Sequence, residues 1–260
     1  MSAPAKAPPV EVHTSHDGGL VRLILARPPA NLLDTDAVLA LRDAVGRVAA
    51  DPRVRLVLFQ GQGAHFCYGA SVEEHLPGRV DAMLPAFHQL FVELEETGLP
   101  TAAAVRGRCL GGGAELALWC GTVHVTPDAS LGVPEVKLGV FPPIAALGLR
   151  WRVGGAKATR LVTTGDAVRG ADAVAMGLAE ACTEDPEASI VGWYERALAP
   201  LSPHALRMAW RAARRPLLRG LHEDLPALEQ LYLTDLMAHP DPEEGLRAFL
   251  ERRQPTWRTA

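Results

Sequence analysis

Gly111, Gly112 and Gly113 stand in a row and run into Ala114-Glu115-Leu116-Ala117-Leu118-Trp119, an apolar helical pattern with one acid in its first turn. Glycine lacks a Cβ, so its amide can approach a ligand closely and take conformations closed to other residues. The N–H groups of a helix's first turn have no intrahelical partner and sit at the positive end of its dipole. An oxygen that gains negative charge during a reaction is stabilised by such donors, and losing one from a working oxyanion hole costs roughly 3–4 kcal/mol. A second acid, Glu135, follows twenty positions later in Gly132-Val-Pro-Glu135-Val-Lys-Leu-Gly139. Bare amides, a helix start and two carboxylates are the parts needed to stabilise an enolate and move protons around a water molecule.

Each part has a plainer reading beside it. The glycines also suit a close strand–helix packing turn. They are not a dinucleotide fingerprint, because Leu116 stands where a third spaced glycine is required, and no Gly-Lys-Ser/Thr marks a P-loop. Glu115 has apolar neighbours on every side, so it is buried or lines a cavity. A buried carboxylate must be paired, hydrogen-bonded or neutralised, and it could do no more than cap nearby N–H groups. Glu135 follows Pro134 in a loop, where a surface acid is ordinary; it gains meaning only by facing Glu115. A second amide donor could come from Phe66-Cys-Tyr-Gly69-Ala70-Ser71-Val72-Glu-Glu-His75, whose small residues again admit close backbone approach.

The elements that must hold these residues follow from periodicity. Residues 20–25, 54–59, 101–105 and 122–125 read as strands, and 35–50 and 80–96 as amphipathic helices, the first capped by Asp34 or Thr35. Another helix begins near Ala114. Strands alternating with helices imply crossovers and a largely parallel sheet. From about Asp166 the strand signals fade, and 171–176, 188–199, 204–218, 225–237 and 242–252 read as helices. This predicts an α/β core over residues 1–200 and a helical C-terminal lobe over 201–260.

The 260 residues, 48% hydrophobic, suffice for a sizeable core. A net charge of −4 gives no field for holding nucleic acid. A basic cluster, Arg207, Arg211, Arg214, Arg215 and Arg219, reads first as a solvated helix face and secondly as a phosphate or subunit contact. Cys67, Cys109, Cys120 and Cys182 have no metal-ligand spacing, and no metal is expected. The Pro/Ala-rich lead reads as unstructured and lacks a hydrophobic signal segment, and no stretch is long enough to span a membrane, so a cytoplasmic protein is expected.

Taken together, Cys67-Tyr-Gly-Ala-Ser71, Leu110-Gly-Gly-Gly-Ala-Glu115-Leu-Ala and Pro134-Glu135-Val-Lys-Leu-Gly139 resemble the crotonase (enoyl-CoA hydratase/isomerase) superfamily. The ending Glu244-Gly-Leu-Arg-Ala-Phe249-Leu-Glu-Arg-Arg253 is similar to that family's C-terminal helix. The resemblance runs from about Val10 to the C-terminus. It implies a crotonase-like ββα-spiral core and an acyl-CoA substrate whose thioester oxygen is bound by the N–H groups of Ala70 and Gly112. Glu115 and Glu135 match the two acids that hold and activate water in hydratases; relatives lacking one of them isomerise, decarboxylate or hydrolyse instead. Coenzyme A enters as part of the substrate, with no further cofactor. Gly69, Ser71, Val72, Gly111, Phe141 and Pro143 would line the thioester and acyl site. Arg252 and Arg253 would meet the CoA phosphates, within the chain or across a subunit boundary of a homotrimer or hexamer. Two departures touch the acyl pocket: Ser71 replaces the family's usual Asp, and Val140-Phe-Pro-Pro-Ile-Ala-Ala-Leu147 replaces a Gly-rich stretch. Both resemble the subgroup of hydratases that act on cyclic dienoyl-CoA thioesters. Isomerase, decarboxylase and non-catalytic acyl-CoA-binding readings of the same fold stand as alternatives.

Overall fold

A computed structural model of the chain describes residues 8–258. Strands β1 (Val10–Ser15) and β2 (Leu20–Leu25) form a hairpin with Val10 opposite Leu25. Then come helix α1 (Thr35–Ala49), β3 (Leu56–Gly61), α2 (Val80–Thr97), β4 (Thr101–Val105), β5 (Arg108–Leu110), α3 (Gly112–Trp119), β6 (Thr122–Val125) and β7 (Ser130–Gly132). The second half holds α4 (Pro143–Val153), α5 (Gly155–Thr164), β8 (Ala167–Arg169), α6 (Gly170–Met176), β9 (Ala181–Cys182), α7 (Pro186–Ala197), α8 (Pro203–Glu223), α9 (Leu225–Gln230) and α10 (Pro240–Leu250). Six strands make the main sheet in the order β1-β2-β3-β4-β6-β9, parallel throughout except at the β1–β2 hairpin. A small second sheet, β5-β7-β8, stands beside it.

Local chemistry sets these elements. Asp34 accepts the Ala37 N–H at 2.9 Å and starts α1, whose Val38, Leu41, Val45 and Val48 face the core at helical spacing. Gly98, with φ +66, ends α2 in the left-handed conformation that glycine tolerates best. Strand β4 is buried along its whole length. Ala102 and Ala104 pack with Ile190 and Tyr194 of α7, while Ala103 and Val105 face the larger core on the other side. Small residues in a central strand let helices approach both faces.

The basic cluster is structural in part: Arg215 and Arg219 are exposed, as a solvated face requires, but the other three arginines reach other helices. On α8, Arg207 donates to the carbonyls of Ala49 and Asp51 at the end of α1. Arg211 donates to Glu96 and Thr97 carbonyls at the end of α2. Arg214 donates to the Trp119 carbonyl at the end of α3 at 2.8 Å and pairs with buried Glu95. Three arginines thus satisfy the orphan carbonyls, and the negative dipole ends, of three helices. Leu221, Leu225, Tyr232 and Leu246 join the same apolar cluster as the sheet residues.

Other differences from the sequence reading are local. Residues 1–7 of the lead lie outside the described residues, but Val10–Ser15 beyond them is an edge strand. Strand β3 begins two residues later than the apolar run suggested. Helices α4 and α5 fill the stretch before Asp166 that carried no assignment. The helix expected over 225–237 is α9 followed by a wider π-turn, Leu231–Leu236. Among the described residues no helix is long and apolar enough to cross a membrane.

Candidate functional site

Glu115 projects from the first turn of α3, flanked by the fully buried Ala114, Leu116 and Ala117, and is itself 5% exposed. Its Oε1 accepts the Ala145 N–H at 2.8 Å. Ala145 is the third residue of α4, a helix preceded by Pro142 and without a side-chain cap of its own. Glu115 therefore caps α4 from a distance. Burial pushes the Glu115 carboxyl up to about 7, and the amides of Ala145 and Ile144 pull the other way.

Glu135 comes from the short 3₁₀ helix Pro134–Leu138. Its Oε1 lies against Gly111, where an added Cβ would stand 2.7 Å away, and Gly111 itself has φ +52. Its Oε2 is out of solvent contact and has no hydrogen-bond partner among the described residues. Burial, and then the charge of Glu115, holds the Glu135 carboxyl well above the usual range. The two acids thus meet at the N-terminal turn of α3. A dry site with two neighbouring carboxyls does not hold two charges at once, so at neutral pH the pair keeps a proton.

The second glycine-containing loop is pinned by its neighbours. Asn31 Nδ2 donates to the carbonyls of Gln62 and His65 at 3.0 Å each and to that of Phe66 at 3.2 Å. Tyr68 N–H donates to Ala30 O at 2.9 Å, and Leu33 N–H to Gly69 O at 3.0 Å. This lays Cys67–Ala70 against the glycine triplet with no room for side chains between them. A Cβ on Gly113 would overlap Cys67 Cβ at 2.6 Å, and one on Gly112 would stand 3.2 Å from the Ala70 nitrogen. The triplet is a close-packing device and also brings the Ala70 amide nitrogen up against Gly112. Gly112 opens α3, so its N–H has no acceptor inside the helix. Gly69, with φ +113, turns the chain into this position.

The remaining expected residues spread around this centre. Ser71 leads into the 3₁₀ helix Val72–His75, and its carbonyl accepts His75 Nδ1–H at 2.7 Å. Burial lowers the His75 pKa and keeps the ring neutral. Val72 packs on the core. Pro143 is the buried first residue of α4, and the Phe141 ring meets that of Tyr232 at 5.2 Å. Arg252 is exposed with φ +55. Arg253 is held inside its own chain, at 2.5 and 2.8 Å from the Glu244 carboxylate and 2.6 Å from Glu251. Helix α10 packs against both 3₁₀ helices, Val72–His75 and Pro134–Leu138, of the same chain.

Tyr232 lies within reach of the charges of both acids, and the sequence pattern did not single it out. It is 1% exposed, and its hydroxyl is buried without a partner among the described residues. Burial first, then the charges of Glu135 and Glu115, pushes its phenol up. One aromatic residue in the leucine-rich run 225–237 is indistinguishable by spacing from an ordinary core residue. The π-turn that aims it inward leaves no mark in the pattern.

Comparison with known proteins extends this picture. Residues 15–260 match the family described as enoyl-CoA hydratase/isomerase. Cyclohexa-1,5-dienecarbonyl-CoA hydratase of Thauera aromatica is 43% identical over 249 residues, 96% of each chain. The 2,3-dehydroadipyl-CoA hydratase of Escherichia coli (strain K12) is 30% identical, over 95% of this chain and 98% of that protein. An enoyl-CoA hydratase structure from Mycobacterium avium subsp. paratuberculosis K-10 superposes with a TM-score of 0.84 at 25% identity, covering 96% of this chain and 99% of the other. An enoyl-CoA hydratase/isomerase from Xanthobacter autotrophicus Py2 gives 0.81 at 28% identity, covering 94% and 97%. The likeness spans the sheet, the glycine turn and the C-terminal helices, and the chain belongs to the enoyl-CoA hydratase/isomerase family, with the crotonase fold expected from its motifs.

Proposed function

We propose that this protein is a hydro-lyase that adds water to an unsaturated acyl-CoA thioester, with a cyclic dienoyl-CoA as its substrate class. The observation that carries the reading is the pair of buried carboxyls, Glu115 and Glu135, meeting beside Gly111 at the start of α3. In the mechanism, the thioester oxygen lies between the Ala70 and Gly112 N–H groups, flanked by Gly69, Ser71, Val72 and Gly111. Water adds to the unsaturated carbon, its proton passes to one glutamate, and the π electrons move onto the thioester oxygen. The two amides stabilise that charge. The enolate then collapses and takes a proton onto carbon from the other glutamate. Glu115, steadied by the amides of α4, suits the base, and Glu135, held in its acid form, suits the proton donor.

The cyclic substrate is supported by the 43% identity to the Thauera aromatica hydratase. It is supported also by flat or rigid side chains around the acids: the Phe141 ring meets that of Tyr232, buried Pro143 opens α4, and Phe87 stands over Gly112. On this reading coenzyme A arrives with the substrate, no metal or other cofactor takes part, and Arg252 with Arg253 meets the CoA phosphates. Residues 201–260 form a lobe for CoA contact and assembly of a cytoplasmic homotrimer or hexamer. Glu115→Gln and Glu135→Gln should each lower hydratase kcat by about 10²-fold or more. Near-wild-type turnover by both variants on every enoyl- and dienoyl-CoA tried would overturn the assignment. Isomerisation or decarboxylation is separated by running the reaction in ¹⁸O-labelled water, since hydration alone puts solvent oxygen into the product. Binding of acyl-CoA with no turnover would mark a scaffold instead.

A further inference from the structure

Two buried polar atoms lack any protein partner among the described residues, Oε2 of Glu135 and the hydroxyl of Tyr232, and the charge of Glu135 acts on that phenol. The backbone ties their surroundings together. Val140 N–H donates to the Glu135 carbonyl at 3.2 Å, and the next residue, Phe141, lays its ring on Tyr232 at 5.2 Å. Two residues further on, α4 begins, and its Ala145 N–H holds Glu115. Tyr232 therefore sits over the segment that carries one acid and anchors the other. It is presented by the π-turn Leu231–Leu236, and such widened turns are frequent at functional positions.

A phenylalanine would fill this space without burying an unsatisfied hydroxyl, which destabilises the folded protein. A polar atom kept at that cost, within electrostatic reach of a second orphan on a carboxyl, marks a place where a small polar group binds. We propose that the Tyr232 hydroxyl donates a hydrogen bond to the oxygen atom that hydration adds to the acyl group, gripping it as water before addition and as the product's hydroxyl afterwards. This rests on the hydration reading above. Tyr232 transfers no proton: the water proton still goes to one glutamate and the carbon proton still comes from the other. Burial and the two neighbouring carboxyls keep the phenol protonated, so it remains a donor across the working pH range.

Tyr232→Phe tests this. On a thioester that the wild type hydrates, kcat should fall at least about tenfold with KM within about twofold, as for an interaction made at the reacting atom. As product inhibitor, the hydroxyacyl-CoA formed by the wild type should bind the variant about tenfold more weakly, while the saturated acyl-CoA of the same skeleton should inhibit both proteins equally. Tm should hold or rise. Wild-type kcat and unchanged product inhibition in the variant would overturn the tyrosine assignment and leave hydration standing. Equal weakening of both inhibitors would also overturn it, by making Tyr232 a packing residue. If the wild type places no solvent oxygen in any product, hydration and the tyrosine contact fall together.

Discussion

Glu115 and Glu135 each sit where burial works against ionisation, and the charge of one raises the other. The consequence for stability has a definite sign. An unfolded glutamate titrates near its ordinary 4.5, whereas folded Glu115 holds its proton up to about 7. Protons therefore bind the folded state more tightly, and the stability this confers is complete below pH 4.5 and is lost as pH rises through about 7. A Glu115→Gln/Glu135→Gln double variant should lose that slope. It should melt above the wild type at neutral pH, by about 2–4 °C per kcal/mol of relieved burial cost, and the gap should close toward pH 4.5. Parallel Tm–pH curves from scanning calorimetry would show that the acids are not in a dry site. Gly111 is equally exposed to test. Gly111→Ala forces a Cβ within 2.7 Å of Glu135 Oε1 at φ +52, so it should cut kcat by about 10²-fold through displacement of an acid. Unimpaired turnover by this variant would mean that Glu135 has no fixed post. The acids and glycines were legible because a lone acid in an apolar helix turn, and three glycines together, are rare patterns. That Glu115 and Glu135 share one buried site, and that Tyr232 lies within reach of their charges, was not legible, because the β5–β7 pairing and the π-turn that bring them together are too short to show in the pattern.

Among the elements, α8 ties together the C-terminal ends of α1, α2 and α3. Arg214 reaches Glu95, which also accepts Trp119 Nε1–H at 2.7 Å, and Glu95 is 5% exposed. Arg214→Met would leave that carboxylate buried with a single neutral donor, which costs roughly 3–5 kcal/mol. Adding Glu95→Gln removes the stranded charge and should recover a large part of the loss. Urea denaturation of both single variants and the double variant reads the difference, and strictly additive losses would show that the pair does not act as a unit. Sequence periodicity found α1 and α2 because each has a clear apolar face and a stop signal. It missed α4, which starts at two prolines and has apolar residues on more than one face, and it missed β5, β7 and β8, whose three residues each are too few to show alternation. Arg207, Arg211 and Arg214 read like the exposed Arg215 and Arg219 beside them, because the carbonyls they satisfy belong to three other helices.

For the molecule as a whole, alternating strands and helices followed by a helical stretch was enough to predict an α/β core with a helical end. Quaternary structure was not legible, since an apolar stripe reads the same against a core or against a partner. The fold leaves large apolar side chains at the surface of its C-terminal part: Leu231 is 45% exposed, Phe249 56% and Trp257 43%. Helix α10, which carries Phe249, lies over the 3₁₀ helices of its own site. Its outer face is thus open while its inner face is used. Covering such residues in an assembly is favourable by about 25 cal/mol per Å² of apolar surface removed from water. Sedimentation of the wild type at micromolar concentration should give three or six times the 27.8 kDa chain mass. Phe249→Asp together with Leu231→Asp should shift it toward the monomer and leave far-ultraviolet circular dichroism unchanged. A wild-type species at 27.8 kDa would overturn the trimer or hexamer, and every contact to CoA would then have to come from within one chain.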